Sequence, residues 1–100
     1  MNPPVLISAD PRHLRLPWSR RDGADPAKLA RQISRYGDSS EGMPPLFVFR
    51  ANDEELVISD GVTRATRIAK LSPGRLVLVE VTGAMSAPGA KLPTVEERLP

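Results

Sequence analysis

The chain has 100 residues, of which 40% are hydrophobic and 26% are charged, and its net charge is +2. This length favours one domain with a small core, and the charge does not by itself indicate a nucleic-acid-binding protein. The absence of cysteine excludes disulfides, thiolate metal sites and cysteine catalysis. No apolar run approaches the ~18 residues of a membrane span, and no signal-peptide pattern opens the chain. We therefore expect a cytoplasmic protein without membrane contacts.

The first quarter of the chain predicts one strand and a long irregular segment. Residues 4–8 form a short apolar run that favours a strand. Residues 9–24 contain prolines and arginines but no hydrophobic period, so they are predicted to be irregular. Trp18 is the only tryptophan, and we expect its ring to close the edge of the core. The alternative is a stacking platform for nucleic acid, with phosphates contacted by the flanking Arg12, Arg15, Arg20 and Arg21.

A helix is predicted at residues 26–36 because its start and its end both carry typical signals. Asp25 can accept hydrogen bonds from free backbone N–H groups, and Pro26 fits the first helical position. Gly37 can adopt the left-handed conformation that ends a helix.

The middle of the chain predicts a β-hairpin, a second helix and a further strand. Apolar residues 46–50 and 55–59 flank a short polar turn, which is typical of a hairpin. Residues 62–71 place their apolar side chains on one helical face, and residues 75–82 form the clearest strand pattern. The expected fold class is therefore α+β with two main helices.

The C-terminal stretch differs in composition from the rest of the chain. Residues 84–100 are rich in Gly, Ala and Pro, so we interpret them as a linker or tail that follows a domain of residues 1–83. Deletion of residues 86–100 is then expected to leave the domain folded. Thr94 and Glu97 have the spacing of a capping box, so the alternative is a short helix that docks on this domain or on a protein partner.

The strongest candidate site is the turn Asp60-Gly61-Val62-Thr63-Arg64, where the hairpin meets the second helix. Gly61 permits a sharp bend and the close approach of a ligand. The helix start offers free N–H groups and the positive end of the helix dipole. Thr63 adds a hydroxyl, Arg64 adds a charged fork, and Asp60 could accept a hydroxyl or hold an arginine. The same pattern is also typical of an ordinary solvated turn.

The stretch VISDGVTRATRIAKL at residues 57–71, followed by LVLVEV, resembles the ParB/sulfiredoxin-like superfamily. Members carry a strand, a Gly-x-x-Arg type of turn, an Ala-rich helix and a further strand. The segments RHLRLPWSRR, DPAKLARQISRYG and PPLFVFRANDEELVISDG are similar to the family's upstream parts and come in the same order. The resemblance covers roughly residues 5–82 and implies a small domain with a short mixed sheet.

The resemblance implies that the turn binds the phosphates of a nucleotide. The residues that match the family motif are Asp60, Gly61, Thr63, Arg64 and, more loosely, Arg67. Arg20 and Arg21 are expected to add phosphate contacts, because the family folds their segment near the turn. The implied ligand is a nucleoside triphosphate with Mg²⁺, and no metal site made by the protein alone is expected.

Some departures from the family narrow the functions that the resemblance implies. Val62 stands where the family often has His or Glu, the missing cysteine rules out sulfiredoxin chemistry, and the ParB helix-turn-helix is not expected. Three functions stay open: a nucleotide- or phosphate-binding module, an enzyme (NTP hydrolase, kinase or nuclease), and a protein-interaction adapter that has lost its ligand. An enzyme would need a general base and a metal-holding carboxylate, for which Asp60 and Glu80 are the candidates.

Binding to DNA is predicted to be weak, non-specific and steeply dependent on salt, because the net charge is only +2 and no helix for reading a groove is expected. Titration of labelled duplexes of different sequence over a range of salt concentrations measures this. Sub-micromolar, sequence-selective binding at physiological salt would contradict the prediction.

Overall fold

The computed structural model describes residues 3–100, which contain one four-stranded mixed sheet and two α-helices. The strands are β1 (Val5–Ala9), β2 (Leu46–Arg50), β3 (Leu56–Asp60) and β4 (Val77–Ala84). Their order across the sheet is β1-β4-β2-β3. β4 runs antiparallel to β1 and parallel to β2, and β2 and β3 form the predicted antiparallel hairpin. The α+β fold with a short mixed sheet and two main helices is confirmed.

The two helices have the predicted bounds. They are α1 (Pro26–Tyr36) and α2 (Val62–Leu71), and they pack beside each other. Asp25 caps α1, and its bonds from the backbone N–H groups of Lys28 and Ala27 hold its pKa below the usual range. None of the helices within residues 3–100 has the length and hydrophobicity needed to cross a membrane.

Alternation along the strands gives the sheet a buried face and an open face. In β4, Val77 and Val79 are buried whereas Leu78 between them is half exposed, because successive side chains of a strand point to opposite sides. The buried face packs against α2 in a core made of Leu14, Leu16, Leu46, Val48, Ile58, Ala65, Ile68, Ala69, Val77, Val79 and Val95. The open sheet face presents Leu6, Phe47, Phe49 and Leu78 to solvent.

Residues 84–100 are not the linker or tail that composition suggested. Val95 is only 1% exposed and belongs to the core, and its backbone N–H donates to the carbonyl of Leu14 at 2.9 Å. The predicted capping box is present, since the Glu97 backbone N–H donates to Thr94 Oγ1 at 3.2 Å. The structure therefore agrees with the alternative prediction of a short element docked on this domain, which is a 3-10 turn at Glu96–Arg98.

Trp18 also departs from its prediction, because it is 69% exposed and does not close the core. The apolar contacts of this segment come instead from Leu14 and Leu16, which are buried. Pro17 then redirects the chain into a 3-10 turn that begins at Trp18. The ring is left outside the core, with the guanidinium of Arg21 lying 4.3 Å from its centroid.

Removal of residues 86–100 should destabilise the domain, in contrast to the expectation from composition, because it takes Val95 out of the core. The substitution Val95→Ala should by itself lower the free energy of unfolding by about 1–3 kcal/mol. Chemical denaturation measures both effects. Val5→Ala, at an exposed valine of β1, is the matched control and should change stability by less than about 0.5 kcal/mol. A truncated protein with an unchanged unfolding midpoint would restore the linker interpretation.

Candidate anion-binding site

Gly61 sets the geometry of the turn between β3 and α2. Its φ is 112° and its ψ is 23°, a left-handed conformation that residues with a side chain rarely adopt. A Cβ atom at this position would lie 2.6 Å from Cδ2 of Leu46, and Leu46 is fully buried. Both the backbone conformation and the close approach of β2 therefore require glycine here.

The first turn of α2 has no side-chain cap. Among residues 3–100, no backbone or side-chain acceptor binds the N–H groups of Val62, Thr63 and Arg64. The first backbone bond of the helix runs from Ala65 N–H to the carbonyl of Gly61 at 2.9 Å. Free donors and the positive end of the helix dipole therefore face outward at this turn, an arrangement that attracts anions.

A cavity of about 390 Å³, here called the turn cavity, opens in front of these N–H groups. The 3-10 turn at Trp18–Arg20, helix α1, the end of β3 and the start of α2 all contribute to its wall. Its lining residues are Pro17, Ser19, Arg20, Lys28, Gln32, Ser59, Asp60, Gly61, Val62, Thr63 and Arg64. The fold thus brings together five of the predicted site residues, namely Asp60, Gly61, Thr63, Arg64 and Arg20.

Arg64 lies along the cavity wall and is only 18% exposed. Its Nη1 donates to the carbonyl of Pro44 at 3.1 Å, and its Nη2 lies 3.5 Å from Oδ2 of Asp60. Asp60 thus holds an arginine, which is one of the two roles that its position suggested. These contacts fix the guanidinium beside the free N–H groups, so Arg64 is both a structural contact and a charge at the mouth of the cavity.

Two further cations line the cavity, and the sequence indicated only one of them. Arg20 was expected there, whereas Lys28 enters from the first turn of α1. None of the ion pairs within the described residues includes either side chain. A lysine near a helix N-terminus interacts unfavourably with the helix dipole. This is the sequence feature that could have identified Lys28 as a site residue. Gln32, one turn further on, has a buried Oε1 without a hydrogen-bond partner in residues 3–100.

Arg21 does not contribute to the turn cavity, although it follows Arg20 directly. Its Nη1 donates to the carbonyl of Trp18 at 3.0 Å, and its guanidinium stacks over that residue's ring. Its own carbonyl accepts a hydrogen bond from Nε of Arg98 at 3.0 Å. The structure therefore places Arg21 away from the expected phosphate contact.

Arg67 is also placed away from the turn cavity. It is 2% exposed, and its Nη1 donates to the carbonyls of Gly37 and Ser39 at 2.8 and 2.7 Å. Burial lowers its pKa below the usual value, although an arginine stays charged in a protein. Arg67 therefore ties α2 to the loop after α1, and a ligand in the turn cavity does not meet its guanidinium.

Taken as chemistry, the turn cavity combines free N–H groups and three cations with one lining carboxylate, that of Asp60. Glu80, the other candidate acid, lies on β4 in register with Leu6 and Phe47, on the open sheet face. Within residues 3–100, no group of three or more His, Cys, Asp or Glu side chains could hold a metal ion.

Comparison of the chain with protein families, curated proteins and solved structures found no match.

Arg67→Met should lower the free energy of unfolding by about 1–3 kcal/mol, because it removes the donor from the partly buried carbonyls of Gly37 and Ser39. Arg31→Met, on the exposed surface of α1, is the matched control and should change stability by less than about 0.5 kcal/mol. Urea denaturation of the two variants checks this. Equal stability of both variants would show that Arg67 is not a structural contact.

Proposed function

We propose that the chain is a nucleotide- or phosphate-binding module and that the turn cavity is its site. The observation that carries this proposal is the uncapped start of α2, which faces a cavity lined by Arg20, Lys28 and Arg64. Free N–H donors and cations from three separate elements converge there, while Asp60, the only lining carboxylate, is paired with Arg64. An anion would satisfy both the donors and the charges.

A terminal phosphate group fits at the N–H groups of Val62 to Arg64, while the space beside Gly61 is already filled by Leu46 and Arg64. Arg20 and Lys28 then contact phosphate oxygens from the opposite wall. The volume of about 390 Å³ lies within the usual range of small-molecule sites, which is about 300–1,000 Å³. A Mg²⁺ ion that a triphosphate brings with it would compete with Arg64 for the Asp60 carboxylate, because Mg²⁺ commonly binds one or two carboxylates together with phosphates.

The resemblance to the ParB/sulfiredoxin-like superfamily supports the same class of ligand. Its Gly-x-x-Arg turn corresponds to Gly61 and Arg64, and both residues line the turn cavity. Among nucleotides, a nucleoside triphosphate is the ligand that the resemblance favours. We place the protein in the cytoplasm, where such nucleotides are abundant, and we favour binding over catalysis because the only lining carboxylate is held by an arginine.

The open sheet face favours a protein-interaction adapter as the second candidate function. Leu6, Phe47, Phe49 and Leu78 present apolar surface there, on the side of the sheet away from α2. Exposed apolar side chains of this kind are typical of protein contacts, and Glu80 lies among them, between Leu6 and Phe47. The two functions do not exclude each other, because the turn cavity is lined by residues other than these four.

Arg20→Gln and Lys28→Gln should each weaken nucleotide binding about three- to ten-fold, because each removes a partly exposed charge from the cavity. Arg64→Ala should weaken it by about ten-fold or more, since this guanidinium belongs to the same turn as the free N–H groups. Isothermal titration calorimetry with nucleoside triphosphates and inorganic pyrophosphate, with and without Mg²⁺, measures the affinities.

Arg21→Gln is the matched control, because it removes the same charge from the adjacent residue but outside the cavity. It should leave the affinity within about two-fold of the unmodified protein. If Arg20→Gln and Arg21→Gln have equal effects, the ligand does not lie in the turn cavity. If calorimetry detects no binding of any of these phosphates, the adapter function is favoured.

A further inference from the structure

Helix α1 carries a row of cations that the turn cavity only partly uses. Lys28, Arg31 and Arg35 lie three and four residues apart, so they share one face of the helix. The helix sequence PAKLARQISRY contains no acidic residue. The Asp25 cap acts electrostatically on Lys28 and Arg31, but no carboxylate within residues 3–100 forms an ion pair with any cation of the row.

The row continues the turn cavity along the surface. A second hollow of about 310 Å³, here called the α1 groove, is lined by Lys28, Arg31, Gln32, Arg35, Tyr36 and Thr63. It shares Lys28, Gln32 and Thr63 with the turn cavity. The two hollows thus form one basic path from Arg20 to Arg35. The acidic group that faces this path, Asp60, is already paired with Arg64.

Exposed aromatic rings stand at both ends of the path. Trp18 lines a third hollow that shares Pro17, Ser19 and Ser59 with the turn cavity. Tyr36 is half exposed and lines the α1 groove at the other end. Arg21 lies 4.3 Å from the centroid of the Trp18 ring, and the Tyr36 ring has two nearby arginines, Arg35 at 5.5 Å and the buried Arg67 at 5.4 Å. A basic path with aromatic rings at its ends defines the class of ligand more closely than a charged surface alone does.

We propose that this path binds single-stranded nucleic acid. The four cations, Arg20, Lys28, Arg31 and Arg35, contact successive phosphates, while Trp18 and Tyr36 stack on unpaired bases. From Lys28 to Tyr36 the helix rises about 12 Å, which suits a segment of a few nucleotides.

Two other polyanions fit this surface less well. A duplex keeps its base faces stacked inside and offers none to Trp18 or Tyr36. An anionic membrane carries phosphates but no bases that could stack on Trp18 or Tyr36. The proposal goes beyond the nucleotide site, because Arg31, Arg35 and Tyr36 lie outside the turn cavity.

The test uses a fluorescein-labelled oligothymidylate of about 12 nucleotides, a length within the range that single-strand binding modules cover. Fluorescence anisotropy at several salt concentrations should give a slope of log affinity against log salt of about −2 to −3, as expected for four phosphate contacts. Trp18 is the only tryptophan, so an unlabelled oligonucleotide should quench the intrinsic fluorescence when a base stacks on it.

The double substitution Arg31→Gln/Arg35→Gln should weaken oligonucleotide binding roughly ten- to thirty-fold at about 0.1 M salt and reduce the slope by about 1.4. Its affinity for a nucleoside triphosphate should stay unchanged, which separates this proposal from that of the turn cavity. Trp18→Leu should weaken oligonucleotide binding about five-fold or more with no change in slope. Arg50→Gln/Lys70→Gln removes the same net charge from other surfaces and should have little effect.

Three results would overturn the proposal. The first is an oligonucleotide affinity that Arg31→Gln/Arg35→Gln lowers no more than the Arg50→Gln/Lys70→Gln control does. The second is oligonucleotide binding without a change in Trp18 fluorescence, which would leave only non-specific attraction to a polyanion. The third is tighter binding to a duplex, or to vesicles of phosphatidylserine and phosphatidylcholine, than to the oligothymidylate.

Discussion

The close approach of Gly61 to Leu46 is the constraint on which the candidate site depends. It joins the end of β3 and the start of α2 directly to a fully buried side chain of β2. The space admits no Cβ atom, so no side chain at this position can cap α2, and the helix N–H groups remain free. The donors of the site are thus fixed by core packing and need no loop to order them, which is the arrangement that favours precise binding.

Arginine has several different roles in this small domain, and burial decides which role each residue takes. Arg67 is buried and binds carbonyls, while Arg64 is partly buried and pairs with Asp60. Arg20 lines the turn cavity without an ion pair in the described residues. A guanidinium with five donors in a fixed plane can serve each of these purposes. The number of arginines therefore does not indicate how much positive charge a ligand can reach. The contacts that each arginine makes within the protein do indicate it.

The two sides of the sheet have opposite chemical character. The helical side carries the turn cavity and the cations of α1, while the open sheet face carries apolar side chains such as Phe47 and Leu78. A ligand in the turn cavity and an apolar partner on the open sheet face therefore contact different side chains, although Trp18 of the proposed nucleic-acid path and Phe49 of the sheet face line the same hollow. This physical separation follows from the strand alternation that also builds the core.

The sequence by itself determined the fold class, the element order, the bounds of both helices and the turn at Gly61. These features depend on neighbours a few residues apart, such as Asp25 with the first N–H groups of α1. Only the tertiary structure decided that Val95 enters the core, that Trp18 stays outside it, and that Lys28 reaches the turn cavity. Whether a side chain is buried, and whether side chains from distant segments line one cavity, depends on which segments meet in the fold. The sequence pattern around a single residue does not determine this. Composition was misleading for residues 84–100 because Val95, which precedes the last 3-10 turn, is held in the core by a backbone bond to Leu14 and needs no helical or strand period.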